Sequence, residues 1–339
     1  MADLRDYTSL RVGGPAKKFV EAHTEAEIIA AIEEAGDSPI LIMGGGTNIL
    51  VADSGFEGTV IHISNNSLKS EIDACSGATM TIGAGENWDE FVAMTIERGF
   101  AGLESLSGIP GSIGAAPIQN IGAYGHEVSE SISRVRTYDR QRKAIKTFTN
   151  SECNFSYRDS HFKSHSGQFI ILDVSFQLRI GDFTTPIMYS ELAQKLGIQV
   201  GEKAPVIATR QAVLELRKSK GMLLSHDDHD SWSAGSFFTN PIISAQQASL
   251  LPEDAPRWPL ADGRIKTSAA WLIERSGIHK GDSVGGARIS NKHVLALTNS
   301  GDATAKDIAE LAKKAQNCVK EKFGISLIPE VNLVGINLQ

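Results

Sequence analysis

The sequence predicts a chain of mixed helix and strand, divided among two or three domains. Three observations carry that expectation. Its 339 residues exceed what one hydrophobic core ordinarily serves, at roughly 100–200 residues per domain. Strand-like and helix-like apolar periods succeed one another along its length. Two glycine-rich stretches, too poor in charge for ordinary surface loop, interrupt them: Gly44, Gly45 and Gly46 with Thr47 and Asn48, and LSGIPGSIGAAPIQNIGAYG from Leu106 to Gly125.

Taken in order, Lys17 to Ala22 alternates as a strand does, and Thr24 with Glu27 forms a capping box that opens an amphipathic helix closed by Gly36. The apolar run Ile40 to Met43 completes a β-α-β opening. Alternating segments at Val60 to Ile63 and Met80 to Ile82 precede a helix from about Asn87, its N-cap, to Arg98, with Gly99 the stop. Val135 to Leu178 again reads as strand. Near Thr209 a helix, RQAVLELRKSKG, and a polar loop, SHDDHDSWSAG, mark entry into a further part of mixed α/β character. There Ser268 caps a short helix, and Thr304 caps a long one whose Ile308, Leu311, Ala312, Ala315, Val319 and Phe323 fall at helical spacing up to Gly324. Ile325 to Ile328 and Val331 to Val334 read as strands, and so short a tail is expected to return to an earlier domain.

In the second glycine stretch, Gly108, Gly111, Gly114, Gly122 and Gly125 permit unusual dihedrals or close approach, while Pro110 and Pro117 limit the freedom. Successive exposed N–H groups in such a turn make a nest for phosphate. Each loop alone is equally a tight structural turn; two in one chain point to a diphosphate. GGGTNI lacks the third glycine of GxGxxG and leads into LVAD in place of a long helix, which disfavours a nicotinamide-type Rossmann domain. Lys plus Arg number 33 against 40 Asp plus Glu, a net −7 without any basic block, so nucleic acid and anionic membranes are not the expected partners. Cys75, Cys153 and Cys318 form no CxxC pair and read as reduced thiols. No apolar run reaches the roughly 18 residues of a membrane span, and a cytoplasmic protein is expected.

Read together, RVGGPAKKF, GGGTNILVAD, SGIPGSIGAAPIQNIGAYG, YRDSHFK, SAGSFFTNP, AAWLIERSG, GGARISNKHVLALTN and IPEVNLVG resemble the UDP-N-acetylenolpyruvoylglucosamine reductase family, in that family's order and over nearly the whole chain. The resemblance implies an α+β architecture: a vanillyl-alcohol-oxidase-type (PCMH-type) FAD-binding fold in two subdomains plus a mixed α/β substrate-binding domain. The expected boundaries are 1–68, completed by 325–339, then 69–214, then 215–324 for the substrate domain. It further implies non-covalent FAD, NADPH as transient hydride donor, and a UDP-N-acetylmuramate dehydrogenase reaction in peptidoglycan precursor synthesis, with UDP-N-acetylglucosamine enolpyruvate as substrate. A monomer is expected.

The implied FAD contacts are Gly44, Gly45, Gly46, Thr47, Asn48, Ile49 and Leu50 in the first loop. In the second they are Gly108, Ile109, Pro110, Gly111, Ser112, Gly114, Ala115, Gln119, Asn120, Gly122, Ala123 and Tyr124. In the implied reaction a hydride from reduced flavin reaches the vinyl carbon, leaving negative charge on the next carbon and its carboxylate. Ser236 is the implied proton donor, since an enolate-like carbanion is basic enough to take a hydroxyl proton. Arg158 and Glu330 are implied to stabilise charge; the planar arginine fork can hold a carboxylate, whereas Glu330 helps only if protonated or if it orients a donor or water. Tyr157, Tyr189, Lys220, Asn240 and His293 are the implied substrate contacts. Without the resemblance, Ser236 reads as a turn serine, Arg158 as a strand-end charge, Glu330 as a solvated acid, Tyr189 as a half-buried strand aromatic and Lys220 as a helix-end cation.

Two stretches depart from the family pattern. After Lys220 the expected Pro-Asp-Pro-like turn is replaced by GMLLSHDDHDSW, whose His226 and His229 among Asp227, Asp228 and Asp230 read as solvated charge, with no metal expected. Asn332 stands where some relatives carry a basic residue. Two other functions are compatible with the glycine loops: another FAD-dependent oxidase or dehydrogenase of the same fold, which would consume oxygen without NADPH, and a non-catalytic nucleotide-binding protein, which would purify colourless.

Overall fold

The computed structural model describes residues 2–73 and 77–338, so Cys75 lies outside the described residues. The chain forms two compact units. One comprises Ala16–Gly45 and Glu57–Leu223; the other comprises Ala2–Pro15, Gly46–Phe56 and the chain from Leu224 on. The passage from one to the other at Gly45 and Gly46 falls inside the first glycine stretch.

In the first unit, the strands Ala16–Ala22, Phe56–Ile63 and Ile40–Met43 form a sheet in that order, with Ile40–Met43 parallel to Thr59–His62. The predicted β-α-β opening is therefore present with a later strand inserted between its two strands. Thr24 accepts a hydrogen bond from Glu27 N at 3.2 Å as the N-cap of the helix Glu25–Ala35. The Glu27 carboxylate, however, closes on His23 N at 2.7 Å, one residue ahead of the position a capping box requires. Gly36 ends the helix at φ 54°.

A larger sheet has the order Ala144–Thr149, Ile132–Asp139, Phe169–Ile180, Gly77–Gly83, Leu68–Asp73, antiparallel throughout. The segment expected as strand from Val135 to Leu178 is thus one whole strand and parts of two others, broken by the Ser160-capped helix His161–Ser164. The helix Trp88–Glu97, capped by Asn87 as expected, packs on this sheet, with Phe91 and Phe176 ring centroids 4.9 Å apart. Trp88 is 1 % exposed, so its indole N–H needs a partner; it donates to Leu106 O at 3.0 Å and so pins the start of the second glycine stretch to the core.

In the second unit, Ser233–Ser236, Ala296–Asn299, Ala287–Ile289 and Ser283–Val284 form an antiparallel sheet. The helix Ala305–Phe323 carries the predicted apolar face, with Ile308, Leu311, Ala312, Ala315 and Val319 buried. Thr304 and Asp307 form its capping box and Gly324 its left-handed stop at φ 66°. Leu10, Val12 and Leu50, from early in the chain, share this core. As expected, the tail returns: Asn332–Val334 pairs parallel with Ile49–Val51. Ile325–Ile328, expected as a strand, is not one. Pairing is limited to a bridge between Phe238 and Pro329, made by Thr239 N donating to Ile328 O and Glu330 N to Phe237 O.

Candidate active site

The two glycine stretches meet within the first unit. A Cβ on Gly44 would lie 2.1 Å from Ser112 Oγ, and one on Gly45 would lie 3.0 Å from Gly111 Cα; side chains would push the turns apart. Among the described residues, the backbone N–H groups of Gly44, Gly45, Gly111 and Ser112 donate to no protein acceptor, although Ser112 is only 6 % exposed. Gly44 and Gly111 are half-buried and Gly45 is exposed, so the rule that buried donors are nearly always paired bears on Ser112 alone. The four unspent N–H groups on facing turns together fit an anionic ligand, and a diphosphate in particular.

Beyond this cradle the second stretch is clamped by side chains the sequence reading did not single out. Gly108 N donates to Asp89 Oδ1 at 2.6 Å, and Arg210 holds both oxygens of the same carboxylate at 2.6 and 2.9 Å. At the carbonyl of the same residue, Arg217 Nε donates to Gly108 O at 2.9 Å and its Nη2 to Met222 O at 3.0 Å. Burial pushes the Asp89 carboxyl up, but the bonds from Arg210 and Gly108 outweigh this and hold it below the ordinary range. The signal was in the sequence: Arg210 and Arg217 stand seven residues apart in Val206–Ser219, which puts them on one helical face. Nearby, burial first, and Glu191 and Tyr189 after it, raise the Tyr124 phenol to about 12 despite Arg217, so it remains a neutral hydroxyl.

Arg158 is not a strand-end charge. It lies in a tight turn closed by mutual bonds between Ser156 and Asp159, at φ 53°. Its guanidinium donates to Gly122 O at 2.6 Å and Asn120 O at 3.3 Å and lies 5.3 Å from the Tyr157 ring centroid. Asn120, itself left-handed at φ 42°, answers by donating from Nδ2 to Ser156 O at 2.9 Å. Two left-handed residues therefore lock each other, and Arg158 comes to the glycine stretch with Gly122, Ala123 and Tyr124. Of the other expected cofactor contacts, Gln119 is buried, Ile109, Pro110 and Thr47 are half-buried and Ala115 is exposed. Ile49 and Leu50 lie in the core strand that pairs with the tail.

Ser236, Glu330 and Asn48 come together in the second unit. Between the pairs Ser233↔Thr298 and Ser236↔Ala296 the register slips by one residue, a β-bulge whose Gly235 takes φ 71°. Such a bulge re-aims the side chain that follows. Ser236 is half-buried, and its hydroxyl has no hydrogen-bond partner among the described residues. Glu330 N donates to Phe237 O at 2.8 Å, which sets Glu330 across from the residue after Ser236. Asn48 Nδ2 donates to Glu330 O at 3.3 Å, and Asn332 Nδ2 to Asn48 O at 3.1 Å. Asn332 thus ties the first glycine stretch to the tail where a basic residue would offer charge.

Asn240 and His293 are engaged internally. Asn240 Oδ1 accepts from Ala269 N at 3.0 Å, at the start of the helix Ala269–Arg275, and His293 Nδ1 accepts from Leu295 N at 3.2 Å. Tyr189 stands at the N-cap of the helix Ser190–Leu196 and not in a strand; its ring meets Tyr124 edge-on at 5.5 Å. Lys220, at the C-cap of Val206–Ser219, pairs with Glu191 at 2.5 Å. The loop from His226 to Asp230 is a clamp: Asp230 accepts from Ser290 Oγ and Asn291 N, both at 3.0 Å, and Asp228 pairs with Lys292 at 2.6 Å. Among the described residues no group of three or more His, Cys, Asp or Glu side chains could hold a metal ion.

Residues 16–145 match the FAD binding domain model, and residues 227–334 match the model for the UDP-N-acetylenolpyruvoylglucosamine reductase C-terminal domain. The reductase of that name from Cutibacterium acnes is 46% identical over 99% of this chain and 90% of its own length. The Streptomyces avermitilis reductase is 47% identical over 99% of this chain and 95% of its own. The crystal structure of the Thermus caldophilus reductase superposes with a TM-score of 0.69 at 26% identity, covering 98% of this chain and 97% of that one.

Proposed function

Because the chain belongs to the UDP-N-acetylenolpyruvoylglucosamine reductase family, we propose how its residues share the work of that reaction. It is an FAD-dependent oxidoreductase of α+β fold, and it reduces UDP-N-acetylenolpyruvoylglucosamine to UDP-N-acetylmuramate in peptidoglycan precursor synthesis. When bound, FAD carries the hydride from NADPH to the vinyl carbon.

The observation that carries our reading of the cofactor site is the pair of facing turns with four unspent N–H groups. Gly44, Gly45, Gly111 and Ser112 would hold the diphosphate of FAD, and Asp89, Arg210 and Arg217 would keep the second turn in shape. Arg158 presents a planar, permanently charged fork to the substrate carboxylate, where it opposes the negative charge that grows during reduction. Ser236, with its hydroxyl uncommitted and re-aimed by the bulge, delivers a proton from Oγ to the carbon next to the carboxylate. Glu330, fixed by its backbone opposite Phe237, orients a donor near that hydroxyl. Lys220, Tyr189, Tyr157, Asn240 and His293 serve substrate binding, with Lys220 suited to a diphosphate. The three-part division at residues 68 and 214 belongs to the same proposal, as do a monomer and a cytoplasmic location. No helix among the described residues is long and apolar enough to cross a membrane.

Turnover is ping-pong: NADPH reduces the enzyme and leaves before the enolpyruvyl sugar nucleotide enters. Stopped-flow spectra of the flavin during sequential addition of NADPH and then UDP-N-acetylglucosamine enolpyruvate test this. Bleaching by the first and recovery with the second are expected, together with substrate inhibition competitive with NADPH; a stable ternary complex would overturn the scheme.

A further inference from the structure

The segment YRDSHFK supplies Tyr157 and Arg158 to the proposed site and leaves its last residue without a role. Lys163 Nζ donates to Arg158 O at 2.7 Å, and among the described residues no carboxylate pairs with it. A surface lysine ordinarily stays in water or meets an acid. This one, half-buried, reaches back five residues to the peptide of a residue that a Cβ disfavours.

Arg158 holds φ 53°, a conformation that costs a residue with a Cβ roughly 1–2 kcal/mol. The surroundings must offset that cost, or the turn relaxes. Two sets of bonds do so, at opposite ends of the residue. The guanidinium is fixed by Gly122 O and Asn120 O, and the carbonyl by the Lys163 ammonium. Lys163 is itself anchored. Its N–H donates to Ser160 Oγ at 3.2 Å, and that hydroxyl donates to Ile118 O at 2.8 Å. Lys163 therefore links the Arg158 carbonyl, through its ammonium, to the same glycine stretch that receives the guanidinium, through its backbone N–H and Ser160.

We propose that Lys163 is a positioning residue for the reduction of substrate: its charge-assisted bond fixes the peptide after Arg158 and so sets the direction of the guanidinium. This rests on the reading of Arg158 as the carboxylate's partner. The guanidinium's bonds to carbonyls at 120 and 122 leave the fork less freedom than its length allows, and the bond to the carbonyl restrains the peptide that follows Arg158. A fork aimed in advance loses little entropy on meeting a carboxylate.

The test compares Lys163→Met, Lys163→Arg, Arg158→Met and the double variant Lys163→Met/Arg158→Met as purified holoenzymes. Flavin content, thermal midpoint and both half-reactions are measured by stopped flow. Lys163→Met should keep its flavin and its rate of reduction by NADPH, yet lose about 10–50-fold in reoxidation by UDP-N-acetylglucosamine enolpyruvate, as expected for one charge-assisted bond. Lys163→Arg should recover to within about threefold, and the double variant should be no worse than Arg158→Met alone. Reoxidation of Lys163→Met within about twofold of the parent would overturn the proposal, as would a Lys163→Met loss that multiplies in full with that of Arg158→Met. Unchanged reoxidation in Arg158→Met would instead remove the reading beneath it. Should Lys163→Met fail to hold flavin, Lys163→Gln, which keeps an N–H donor, decides by the same ratio of half-reactions.

Discussion

The turn at Arg158 and the bulge at Ser236 both place left-handed backbone at or next to a residue proposed to meet substrate, but they distribute the strain differently. In the first, the functional residue itself takes the unusual dihedral, φ 53°, beside Asn120 at 42° and Tyr124 at 51°, and side-chain bonds hold it there. In the second, Gly235 takes φ 71° and the serine that follows is left with no hydrogen bond on its hydroxyl among the described residues. The difference matches the chemistry asked of each. A cation that stabilises charge acts without changing its bonds, so fixing it at both ends costs nothing in turnover. A hydroxyl that gives up a proton must rotate and be recharged, so the distortion is moved onto a neighbour for which it is inexpensive.

The strongest way to break this contrast is Ser236→Ala. Flavin reduction by NADPH should stay near the parent rate while reoxidation by substrate falls by at least about 10². If stopped-flow traces show both half-reactions intact, the free hydroxyl has no part in the chemistry. Gly235→Ala sharpens the same point. A Cβ there meets nothing within 4 Å, so the substitution adds backbone strain without a clash, roughly 1–2 kcal/mol. Reoxidation should slow by about tenfold, with flavin affinity unchanged by fluorescence titration; an unaltered rate would mean that the bulge does not aim Ser236.

The smallest effect concerns the held region. Asp89, bonded by Arg210 and Gly108 N, has its folded pKa lowered. A lowered carboxylate stabilises the fold above its unfolded value of 3.8, and that contribution is lost as pH falls through the lower folded value. With its side chain 32% exposed, the contribution is worth no more than about 1 kcal/mol. Thermal midpoints measured below pH 4 should therefore drop more steeply in the parent than in Asp89→Asn; parallel curves would show that the carboxylate does not stabilise the loop.

Much of this was legible beforehand, and what was not has a common cause. The caps at Thr24, Asn87, Ser268 and Thr304 and the stops at Gly36 and Gly324 were readable because capping is decided within four residues. The return of the tail was readable from its shortness. The missed features depend on how far a side chain reaches and on which segments the fold brings together, neither of which spacing along the chain decides. Glu27 closes on His23 because its reach, not its spacing, decides which N–H it meets. Ile325 to Ile328 has strand composition, but its contact with the chain around Phe238 is limited to a single bridge. Asp89 and Arg210 lie 121 residues apart, and only the fold brings them, with Arg217, to Gly108. Asn240 and His293 carry an amide's and a histidine's chemistry into bonds with the backbone of Ala269 and Leu295, which no motif announces. The glycine stretches stood out as binding elements, but the mutual locking of Asn120 and Arg158 needs two loops 38 residues apart.

The parallel pairing of Ile49–Val51 with Asn332–Val334 also bears on synthesis. At roughly 5–20 residues per second on a ribosome, the early strand waits on the order of a quarter of a minute to a minute for its partner to emerge. During that interval Ile49–Val51 lacks both its partner strand and the core that the chain from Leu224 on supplies, so three apolar residues remain uncovered. The strand's brevity keeps the exposure small, and chaperone engagement during translation should be concentrated on the chain between its appearance and the arrival of the final strand.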